Sequence, residues 1–329
     1  LLTTSRWMEV RLVGCGVFRD IQHGPMVPST GYLEGLDLVP FPPGFVLRFP
    51  DPKNPGRPLE TGPVVGREPG LFQIYKETKA WNRILGVVNV GQLNEACLSS
   101  EIREVIKIAE GFHEKKIAGF ADAVAARRDK VRLILIAGPS SSGKTTFSKR
   151  LMVQLKVNGL RPVTLSTDNY FLGRSETPLD VDGKPDFECL EAVDVPLFNR
   201  HLEQLLAGEE AQVPTYDFFT GMRAPETRAL KLGPSDILIV EGIHGLNPKL
   251  TEAVPAENKL KIYISALTQL GLDDHNRILT TDVRLIRRIV RDRKYRGHSA
   301  ARTIGMWPSV LRGERQNIFP FQEEADLMF

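Results

Sequence analysis

The chain has 329 residues, of which 42% are hydrophobic and 25% are charged, and its formal net charge is +3. This composition is that of a globular protein with room for two domains, and the small positive charge is too weak to indicate nucleic-acid binding by itself. No apolar run reaches membrane-spanning length and no secretory signal is visible, so we expect no membrane partner. The three cysteines, Cys15, Cys97 and Cys189, lie far apart. They favour a reducing cytoplasm over a disulfide or zinc framework.

Proline and glycine crowd residues 40–69, which predicts extended, turn-rich structure without long helices. Further along the chain, apolar residues recur at helical spacing from Ser100 to Arg127. We interpret this helix as a connector and divide the chain into an N-terminal module over 1–91, a helical connector over 92–129 and a second domain over 130–329. The chain begins without Met and ends in a predicted helix over 323–329, so we expect both domains to be incomplete at those ends.

Strands and helices alternate after residue 130. Apolar runs predict strands over 133–137, 162–166, 237–241 and 260–264, and amphipathic patterns predict helices over 144–158, 195–207 and 281–293. This alternation is typical of an α/β domain in which helices cover both faces of a parallel sheet. We expect a smaller α+β domain ahead of it.

A glycine-serine loop joins the first of these strands to the first helix, and it contains the G-x-x-x-x-G-K-[ST] pattern. A glycine-rich turn at a helix N-terminus lets backbone N–H groups surround a polyphosphate. Lys144 adds a point charge for the β- and γ-phosphates, and Thr145 can ligate Mg²⁺. The pattern predicts a P-loop NTPase fold and a nucleoside triphosphate site formed by Gly138, Ser140, Ser141, Ser142, Gly143, Lys144, Thr145 and Thr146.

Two acidic residues come at the carboxyl ends of predicted strands. Asp168 follows the strand over 162–166, and Glu241 ends the strand over 237–241. Open α/β sheets bind their ligands at this edge. Asp168 can accept the proton of an attacking hydroxyl or hold Mg²⁺ through water, and Glu241 can order the metal. The alternatives are that Asp168 opens a turn and that Glu241 caps a helix.

Basic residues dominate the predicted helix over 281–293. Between residues 284 and 296 the one acid is Asp292, whereas a solvated charged face normally carries both signs. The stripe suits a lid that closes over a transferring phosphoryl group, and a nucleic-acid patch is the alternative. Its members are Arg284, Arg287, Arg288, Arg291, Arg293, Lys294 and Arg296.

Together these motifs resemble the uridine kinase and phosphoribulokinase family of P-loop kinases over residues 131 to about 326. GPSSSGKTT, STDNYF, PTYDF, ILIVEG and RRIVRDRKYRG occur in the order that this family shows. The resemblance implies an ATP-dependent phosphotransferase with an alcohol group as acceptor and with Mg²⁺ as cofactor. It implies that Asp168 is the catalytic base, that Lys144 and Arg291 assist catalysis, and that Arg296 contacts ATP. It further implies that Thr145, Glu241 and Asp168 serve the metal, and that the acceptor contacts Phe171, Phe187, Glu188, Tyr216, Arg223 and Arg288.

Three positions depart from that family's pattern. Gly221 stands where uridine kinases have a histidine against the pyrimidine edge, His298 replaces an arginine, and Met306 replaces a glutamine. Sites that select by hydrogen bonds discriminate strongly, because an unpaired buried polar group costs about 1–3 kcal/mol. We therefore expect a uridine- or cytidine-like nucleoside acceptor and leave its base open.

Residues 20–38 resemble the end of the second N-terminal domain of threonyl-tRNA synthetases, the editing domain, whose motif reads roughly D-x-C-x-G-P-H-x-P-S-T-G. Gln22 and Met26 stand at the positions of the motif's cysteine and histidine, and His23 lies one position after the lost thiol. The resemblance implies an editing-domain-like fold with a binding or regulatory role in place of hydrolysis.

Two further hypotheses stay open. A phosphoribulokinase-like kinase of a sugar phosphate would need an additional basic pocket, for which Arg223 and Arg228 are the candidates. A non-catalytic RNA-binding protein switched by ATP would bind ATP without acceptor-dependent ADP release, and its RNA affinity would fall steeply with salt. RNA contact through the N-terminal module and assembly into a homo-oligomer are likewise open.

Overall fold

The computed structural model describes residues 11–22, 25–32, 35–42, 44–50, 69–268 and 270–329. Internal contacts divide the chain into two compact units, Leu1–Pro69 and Gly70–Phe329. In the first unit the described residues form two antiparallel strand pairs, β1 (Leu12–Cys15) with β2 (Phe18–Ile21) and β3 (Asp37–Phe41) with β4 (Gly44–Arg48). His23 and residues 51–68 lie outside the described ranges.

The second unit begins with three helices, α1 (Gly70–Leu85), α2 (Val90–Leu98) and α3 (Ile102–Ala125). The predicted strands between 133 and 264, and the predicted helices between 100 and 293, all have observed counterparts whose ends differ by at most two residues. The remaining strands and α-helices, in chain order, are β5 (Leu133–Ala137), α4 (Lys144–Val157), β6 (Arg161–Ser166), α5 (Val195–Leu206), β7 (Glu210–Val213), β8 (Tyr216–Asp217), β9 (Met222–Arg223), β10 (Arg228–Lys231), β11 (Asp236–Glu241), β12 (Lys259–Tyr263), α6 (Thr280–Tyr295), α7 (Ala300–Asn317) and β13 (Leu327–Met328).

Five parallel strands form the central sheet, in the order β13-β12-β5-β11-β6. In the register of this sheet, Glu241 at the end of β11 lies opposite Ile136 of β5 and Ser166 of β6. The carboxyl ends of these three strands therefore meet at one edge. Residues that follow the strands converge there, as expected for the ligand-binding edge of a parallel α/β sheet.

Side chains of the central strands alternate between two buried cores. On one face Leu133 and Leu135 pack in the core that contains the apolar residues of α5. On the other face Ile134 and Ile136 pack in the core that contains those of α3 and α4. Because both faces are covered, a central strand is apolar at every position. The expected α/β P-loop fold, with a smaller unit of antiparallel strands ahead of it, is confirmed.

The predicted helix over 323–329 is wrong. A 3₁₀ helix, Phe319–Glu324, leads into the edge strand β13, which pairs in parallel with β12. The backbone N–H of Phe329 donates to Tyr263 O at 2.9 Å, and Ser265 N donates to Phe329 O at 2.8 Å. The Phe329 ring packs 5.0 Å from the Phe147 ring. These partners are remote in sequence, so a local pattern could not reveal the strand.

Residues 70–91, which include helix α1, belong to the second unit by their contacts, whereas the sequence pattern assigns residues up to 91 to the N-terminal module. The boundaries after residues 91 and 129 stay predictions. Within the described ranges, no helix combines the length and the apolar character that a membrane crossing requires.

Candidate active site

The phosphate loop lies between β5 and α4. Its backbone at Gly138 passes close to Ile264, such that a Cβ at position 138 would contact Ile264 O. Ser141 and Gly143 adopt left-handed conformations with φ of 60° and 109°. Gly143 is the N-cap of α4, so free N–H groups and the positive end of the helix dipole lie at the loop. The loop is shaped to bind an anion such as a phosphate.

The side chain of Lys144 bends back over this loop. Its Nζ donates to Gly138 O at 2.9 Å and to Pro139 O at 3.2 Å. Loss of solvent lowers the pKa of Lys144, and the nearby carboxylates of Glu241 and Asp168 oppose that shift. The ammonium group is thus placed between the loop and the two acids that follow β6 and β11.

Thr145 and Glu241 form the second contact between the loop and the sheet edge. Thr145 Oγ1 donates to the Glu241 carboxylate, whose two oxygens lie 2.9 and 3.0 Å away. Burial raises the pKa of Glu241, and the neighbouring charge of Asp168 raises it further. A hydroxyl and two carboxylates provide the hard oxygen ligands that Mg²⁺ prefers.

The segment after β6 positions Asp168. It forms a short 3₁₀ helix, Thr167–Tyr170, in which Asp168 N donates to Ser166 Oγ at 3.3 Å. Tyr170 is fully buried, and its hydroxyl lies 2.9 Å from His201 Nδ1 on α5. The buried tyrosine fixes the turn, so the Asp168 side chain is held at the sheet edge facing Lys144 and Glu241.

Four aromatic rings form a continuous wall on the other side of the site. Phe171 packs edge-on against Phe187 at 6.1 Å and against Tyr216 at 5.7 Å. Tyr216 in turn packs against Phe218 at 5.2 Å. Such edge-to-face pairs stabilise a rigid apolar surface. This wall suits a flat or apolar part of a ligand.

Glu188 is the acid beside this wall. It is buried where α7 passes, because a Cβ on Gly313 would lie 3.0 Å from Glu188 Cγ. Burial raises the pKa of Glu188, and the guanidinium of Arg288, whose Nη1 lies 3.7 Å from Glu188 Oε1, opposes the rise. Glu188 Oε2 is buried and has no hydrogen-bond partner among the described residues. That oxygen can accept a hydrogen bond from a ligand hydroxyl.

The arginines of helix α6, the predicted lid, pair with one carboxylate to which the sequence analysis assigned no role. Asp292 is fully buried and lies 3.3 Å from Arg288 Nε, 2.7 Å from Arg291 Nη2 and 3.8 Å from Arg296 Nε. Arg296 also stacks on Phe218, with 4.1 Å between the guanidinium carbon and the ring centroid. Asp292 therefore sets the positions of three arginines relative to the site.

The lid is also bound to the phosphate loop through Ser140. Arg284 Nε donates to Ser140 O at 2.9 Å, and Arg288 Nη1 donates to Ser140 Oγ at 2.8 Å. Ser140 N donates to Glu314 Oε1 of α7 at 3.2 Å, and Glu314 forms a buried ion pair with Arg284. Glu314 gives no signal in the sequence, since it belongs to no motif and acts through contacts made by folding.

One cavity of about 400 Å³ joins these parts. Gly138 and Ser142 lie behind the loop surface and are absent from its lining, while the Oγ atoms of Ser141 and Ser142 are buried without a hydrogen-bond partner among the described residues. The predicted site residues that line the cavity are Ser140, Ser141, Gly143, Lys144, Thr145, Thr146, Asp168, Phe171, Phe187, Glu188, Tyr216, Glu241, Arg288, Arg291 and Arg296. Lining residues that sequence reasoning gave no role include Arg174, Phe218 and Arg302.

Arg223 differs from its predicted role at the acceptor. Its guanidinium donates to Phe171 O at 3.1 Å and to Tyr170 O at 2.8 Å, and it pairs with Asp194 at 3.2 Å. These bonds use its donors behind the aromatic wall, and neither Arg223 nor Arg228 lines the cavity. Arg223 supports the segment that carries Phe171, and the predicted basic pocket of Arg223 and Arg228 is not part of the cavity.

The three positions that depart from the uridine kinase pattern all line the cavity. They are Gly221, His298 and Met306. A Cβ on Gly221 would lie 2.7 Å from Cζ of Arg174, so the arginine occupies the space beside this glycine. His298 Nδ1 is buried and lacks a hydrogen-bond partner among the described residues. The departures thus lie in the cavity itself, where they can alter which acceptor it binds.

Comparison with known proteins is consistent with this geometry. The family model of the phosphoribulokinase / uridine kinase family matches residues 133–329. Uridine kinase from Bacillus pumilus is 33% identical over 202 residues, which cover 61% of this chain and 87% of that protein. Uridine kinase from Lactobacillus helveticus is 31% identical over 201 residues, which cover 61% of this chain and 86% of that protein.

Two solved structures are similar to part of the chain. One, described as a possible uridine kinase from Bacillus stearothermophilus, has 20% identity and a TM-score of 0.44 and covers 65% of this chain and 97% of its own. The other, D-glycerate 3-kinase from Cryptococcus neoformans, has 19% identity and a TM-score of 0.41 and covers 61% of this chain and 87% of its own. Because the family match spans more than half of its length, the chain belongs to the phosphoribulokinase / uridine kinase family.

Proposed function

We propose that this protein is an ATP-dependent kinase that transfers the γ-phosphoryl group of ATP to a sugar hydroxyl of a nucleoside. One observation carries the proposal. The phosphate loop, the acids Asp168 and Glu241, the lid arginines and the aromatic wall with Glu188 all line a single cavity. A protein that only binds a nucleotide has no use for the wall and Glu188, whereas a two-substrate transfer needs both ends in one cavity.

The loop fits the polyphosphate of ATP. The N-terminus of α4 supplies free N–H groups, and Lys144 supplies positive charge. The Oγ atoms of Ser141 and Ser142, which have no partner among the described residues, supply further donors. Arg287, whose Nη2 would lie 3.3 Å from a Cβ on Gly143, brings a further guanidinium to the loop. ATP, when bound, supplies the phosphoryl group for transfer.

The residues beside the loop fit Mg²⁺. Thr145 and Glu241 would hold the ion, with Asp168 acting through water. The described residues contain no cluster of three His, Cys, Asp or Glu side chains that could hold a metal by themselves. That is compatible with Mg²⁺ in kinases, which takes several of its six ligands from phosphate oxygens and water. The ion, when bound, offsets phosphate charge.

Asp168 is the proposed base. Its carboxylate interacts with the Lys144 ammonium and lines the same cavity as the aromatic wall, so it can accept the proton of the attacking hydroxyl. Arg288, Arg291 and Arg296 lie on the lid and offset the charge that spreads over the transferring phosphoryl oxygens. Positioning and electrostatics of this kind supply most of the catalysis in phosphoryl transfer.

The acceptor is proposed to be a nucleoside because the uridine kinases compared above are 31–33% identical to this chain over the aligned 201–202 residues. Phe187 and the aromatic wall fit the flat or apolar part of such a molecule. Glu188 Oε2, buried without a partner among the described residues, fits a sugar hydroxyl. Phe187 and Glu188 together therefore support a hydroxylated, ribose-like acceptor.

The test is acceptor-dependent release of ADP from ATP with Mg²⁺, across nucleosides, ribose and sugar phosphates. We expect release with a nucleoside, and we expect Asp168→Asn to lower kcat at least about 100-fold because the general base is lost, while ATP binding is retained. Asp129→Asn, on the exposed turn after α3, is the matched control and should behave as the wild type. Full turnover by the Asp168 variant would contradict the proposed base.

We further propose that the N-terminal unit has the fold of a threonyl-tRNA synthetase editing domain and binds RNA or regulates the kinase without hydrolysing an ester. The G-P-x-x-P-S-T-G core at 24–31 supports the fold, and Gln22 and Met26 at the positions of the motif's Cys and His argue against hydrolysis. The test is tRNA binding to the full chain at 50 and 200 mM salt. A steep loss of affinity with salt supports RNA binding, and no binding at either salt contradicts it. A cytoplasmic location and a homo-oligomer stay predictions.

A further inference from the structure

The acceptor end of the cavity contains a guanidinium that the proposed kinase mechanism does not use. Arg174 is exposed to solvent and lines the cavity, and its side chain makes no hydrogen bond or ion pair with any other described residue. Of the carboxylates around this end, Glu188 is already paired with Arg288. Asp217, whose charge acts on Tyr216, accepts a hydrogen bond from Phe219 N at 2.8 Å and is not part of the cavity lining. The Arg174 charge is therefore free to bind a ligand.

Arg174 and Gly221 form one structural unit. Arg174 N donates to Gly221 O at 3.3 Å, which ties the two segments together. A Cβ on Gly221 would lie 2.7 Å from Arg174 Cζ and 2.8 Å from Arg174 Cδ. Any side chain at position 221 would push the guanidinium away, so the glycine makes room for the arginine.

The surroundings of Arg174 are rich in donors. Burial raises the pKa of the Tyr216 hydroxyl, and the charges of Arg174 and Arg296 oppose the rise, so both guanidinium groups lie near this ring. Arg302 also lines the cavity without an ion-pair partner among the described residues. A guanidinium carries five N–H donors and accepts no hydrogen bond. A ligand group at this end must therefore supply lone pairs, and an amino group there would face donors.

We infer that Arg174 is a specificity-determining residue that binds oxygen atoms at the far end of the acceptor and excludes an amino group from that position. The inference rests on the proposed function and names the acceptor class, which is a molecule with a carbonyl or phosphate oxygen beyond its reacting sugar. The aromatic wall that contains Tyr216 holds the flat part of such a molecule. A uracil-type base offers an oxygen where a cytosine-type base has an amino group.

The first measurement compares kcat/KM for two pairs of compounds. Uridine and cytidine differ in the C4 substituent and in the hydrogen on the adjacent N3, and ribose 5-phosphate and ribose differ by one phosphate. We expect the wild type to prefer the oxygen-bearing member of at least one pair by about tenfold or more, because only that member accepts a charge-assisted hydrogen bond from the guanidinium. The pair that shows the preference identifies the source of the oxygen as carbonyl or phosphate. A wild type that shows no preference in either pair overturns the inference.

Variants then assign the preference to Arg174. Arg174→Gln should reduce the ratio to within about threefold, since an amide both donates and accepts. Arg161→Gln, on an exposed arginine at the opposite edge of the sheet, is the control and should keep the wild-type ratio. Gly221→Ala should act like Arg174→Gln, because the new Cβ displaces the guanidinium. Gly183→Ala, with the same φ of 73° but nothing within 4 Å of the new Cβ, controls for backbone strain. A preference that Arg174→Gln leaves unchanged overturns the inference.

The kinase function and the specificity role of Arg174 can be refuted independently. Turnover of uridine and cytidine at equal kcat/KM, with equal turnover of the ribose pair, keeps the kinase and refutes the role of Arg174. An absence of turnover with every compound refutes the proposed kinase function. In that case calorimetric titration of the same four compounds decides the inference, because equal or undetectable binding within both pairs contradicts it.

Discussion

Replacing Asp292 with Asn tests how the lid arginines are positioned. The carboxylate is fully buried, and Arg288, Arg291 and Arg296 all contact it. Burial by itself would raise the pKa of Asp292, but the arginines, with Arg291 foremost, hold it below its ordinary value. The group is therefore ionised at neutral pH, and the variant leaves three guanidinium groups without their common anion.

The size of the effect follows from how much solvent reaches each pair. Removing one partner of a buried ion pair costs about 3–5 kcal/mol. The side chain of Arg288 is 5% exposed, whereas those of Arg291 and Arg296 are 31% and 21% exposed, so water screens two of the three pairs. We expect a loss of about 3 kcal/mol in the free energy of unfolding. For a unit of this size, that lowers the melting temperature by about 6–12 °C.

The same variant should lose activity. Without a common anchor Arg291 and Arg296 are held less well where charge develops in the transition state, so kcat should fall about 10- to 100-fold, with a smaller change in KM for ATP. The assays are thermal unfolding and steady-state ADP release. Because the folded pKa of Asp292 is lowered, its stabilisation is present above the unfolded pKa and disappears as pH falls through the folded one. The difference in stability from the wild type should therefore shrink in acid.

Asp282→Asn is the matched control, since Asp282 lies in the first turn of the same helix with an exposed side chain. It should change the free energy of unfolding by less than about 1 kcal/mol. An Asp292→Asn variant with the wild-type melting temperature and kcat would refute the role of the carboxylate in positioning the lid.

Further substitutions test other parts of the site. Gly138→Ala should weaken MgATP binding at least about tenfold in nucleotide titrations, because its Cβ would clash with Ile264 O. Gly159→Ala, on an open turn, is the control and should leave that affinity unchanged. Equal affinities of the two variants would contradict the loop geometry. Burial raises the pKa of Glu241, so protonation of this side chain should weaken MgATP binding at a higher pH than for an ordinary glutamate. Glu241→Gln should abolish that pH dependence. A pH profile that this substitution leaves unaltered would argue against a metal role. Arg223→Ala should lower the melting temperature, because it removes the hydrogen bonds to the carbonyl oxygens of Tyr170 and Phe171. A change in the KM for the acceptor with no change in melting temperature would instead support a substrate role.

A sequence pattern could predict the parts of this protein that depend on residues close together in the chain. The phosphate loop needs glycines at fixed spacing between an apolar strand and a helix, so residues 133–155 specify it locally. Strand ends carry Asp168 and Glu241 to one edge because parallel strands align their carboxyl ends. Local spacing thus predicts the end of the cavity that is proposed to bind ATP.

The remaining features depend on contacts between distant segments. Asp292 was visible as the one acid of a basic stripe, and its ion pairs with three arginines are local to α6. Its position against α7, where Thr303 Oγ1 donates to Asp292 Oδ2 at 3.4 Å, depends on packing that no local pattern shows. Glu314 reaches Ser140 across 174 residues of sequence. The side chain of Arg174 occupies the space beside Gly221. The sequence showed only that Gly221 replaces a histidine of the uridine kinase pattern. The strand β13 was mistaken for a helix because β12, its partner, lies about 65 residues earlier.

The most direct test of the proposed function is the chemical identity of the product. The full chain is incubated with Mg²⁺, ATP carrying an isotopic label in its γ-phosphoryl group, and uridine, and the products are separated and weighed by mass spectrometry. The account predicts ADP and a nucleoside monophosphate that carries the label, in equal amounts, with both lost in Asp168→Asn. ADP that forms at the same rate without uridine, together with label found only in inorganic phosphate, would contradict it.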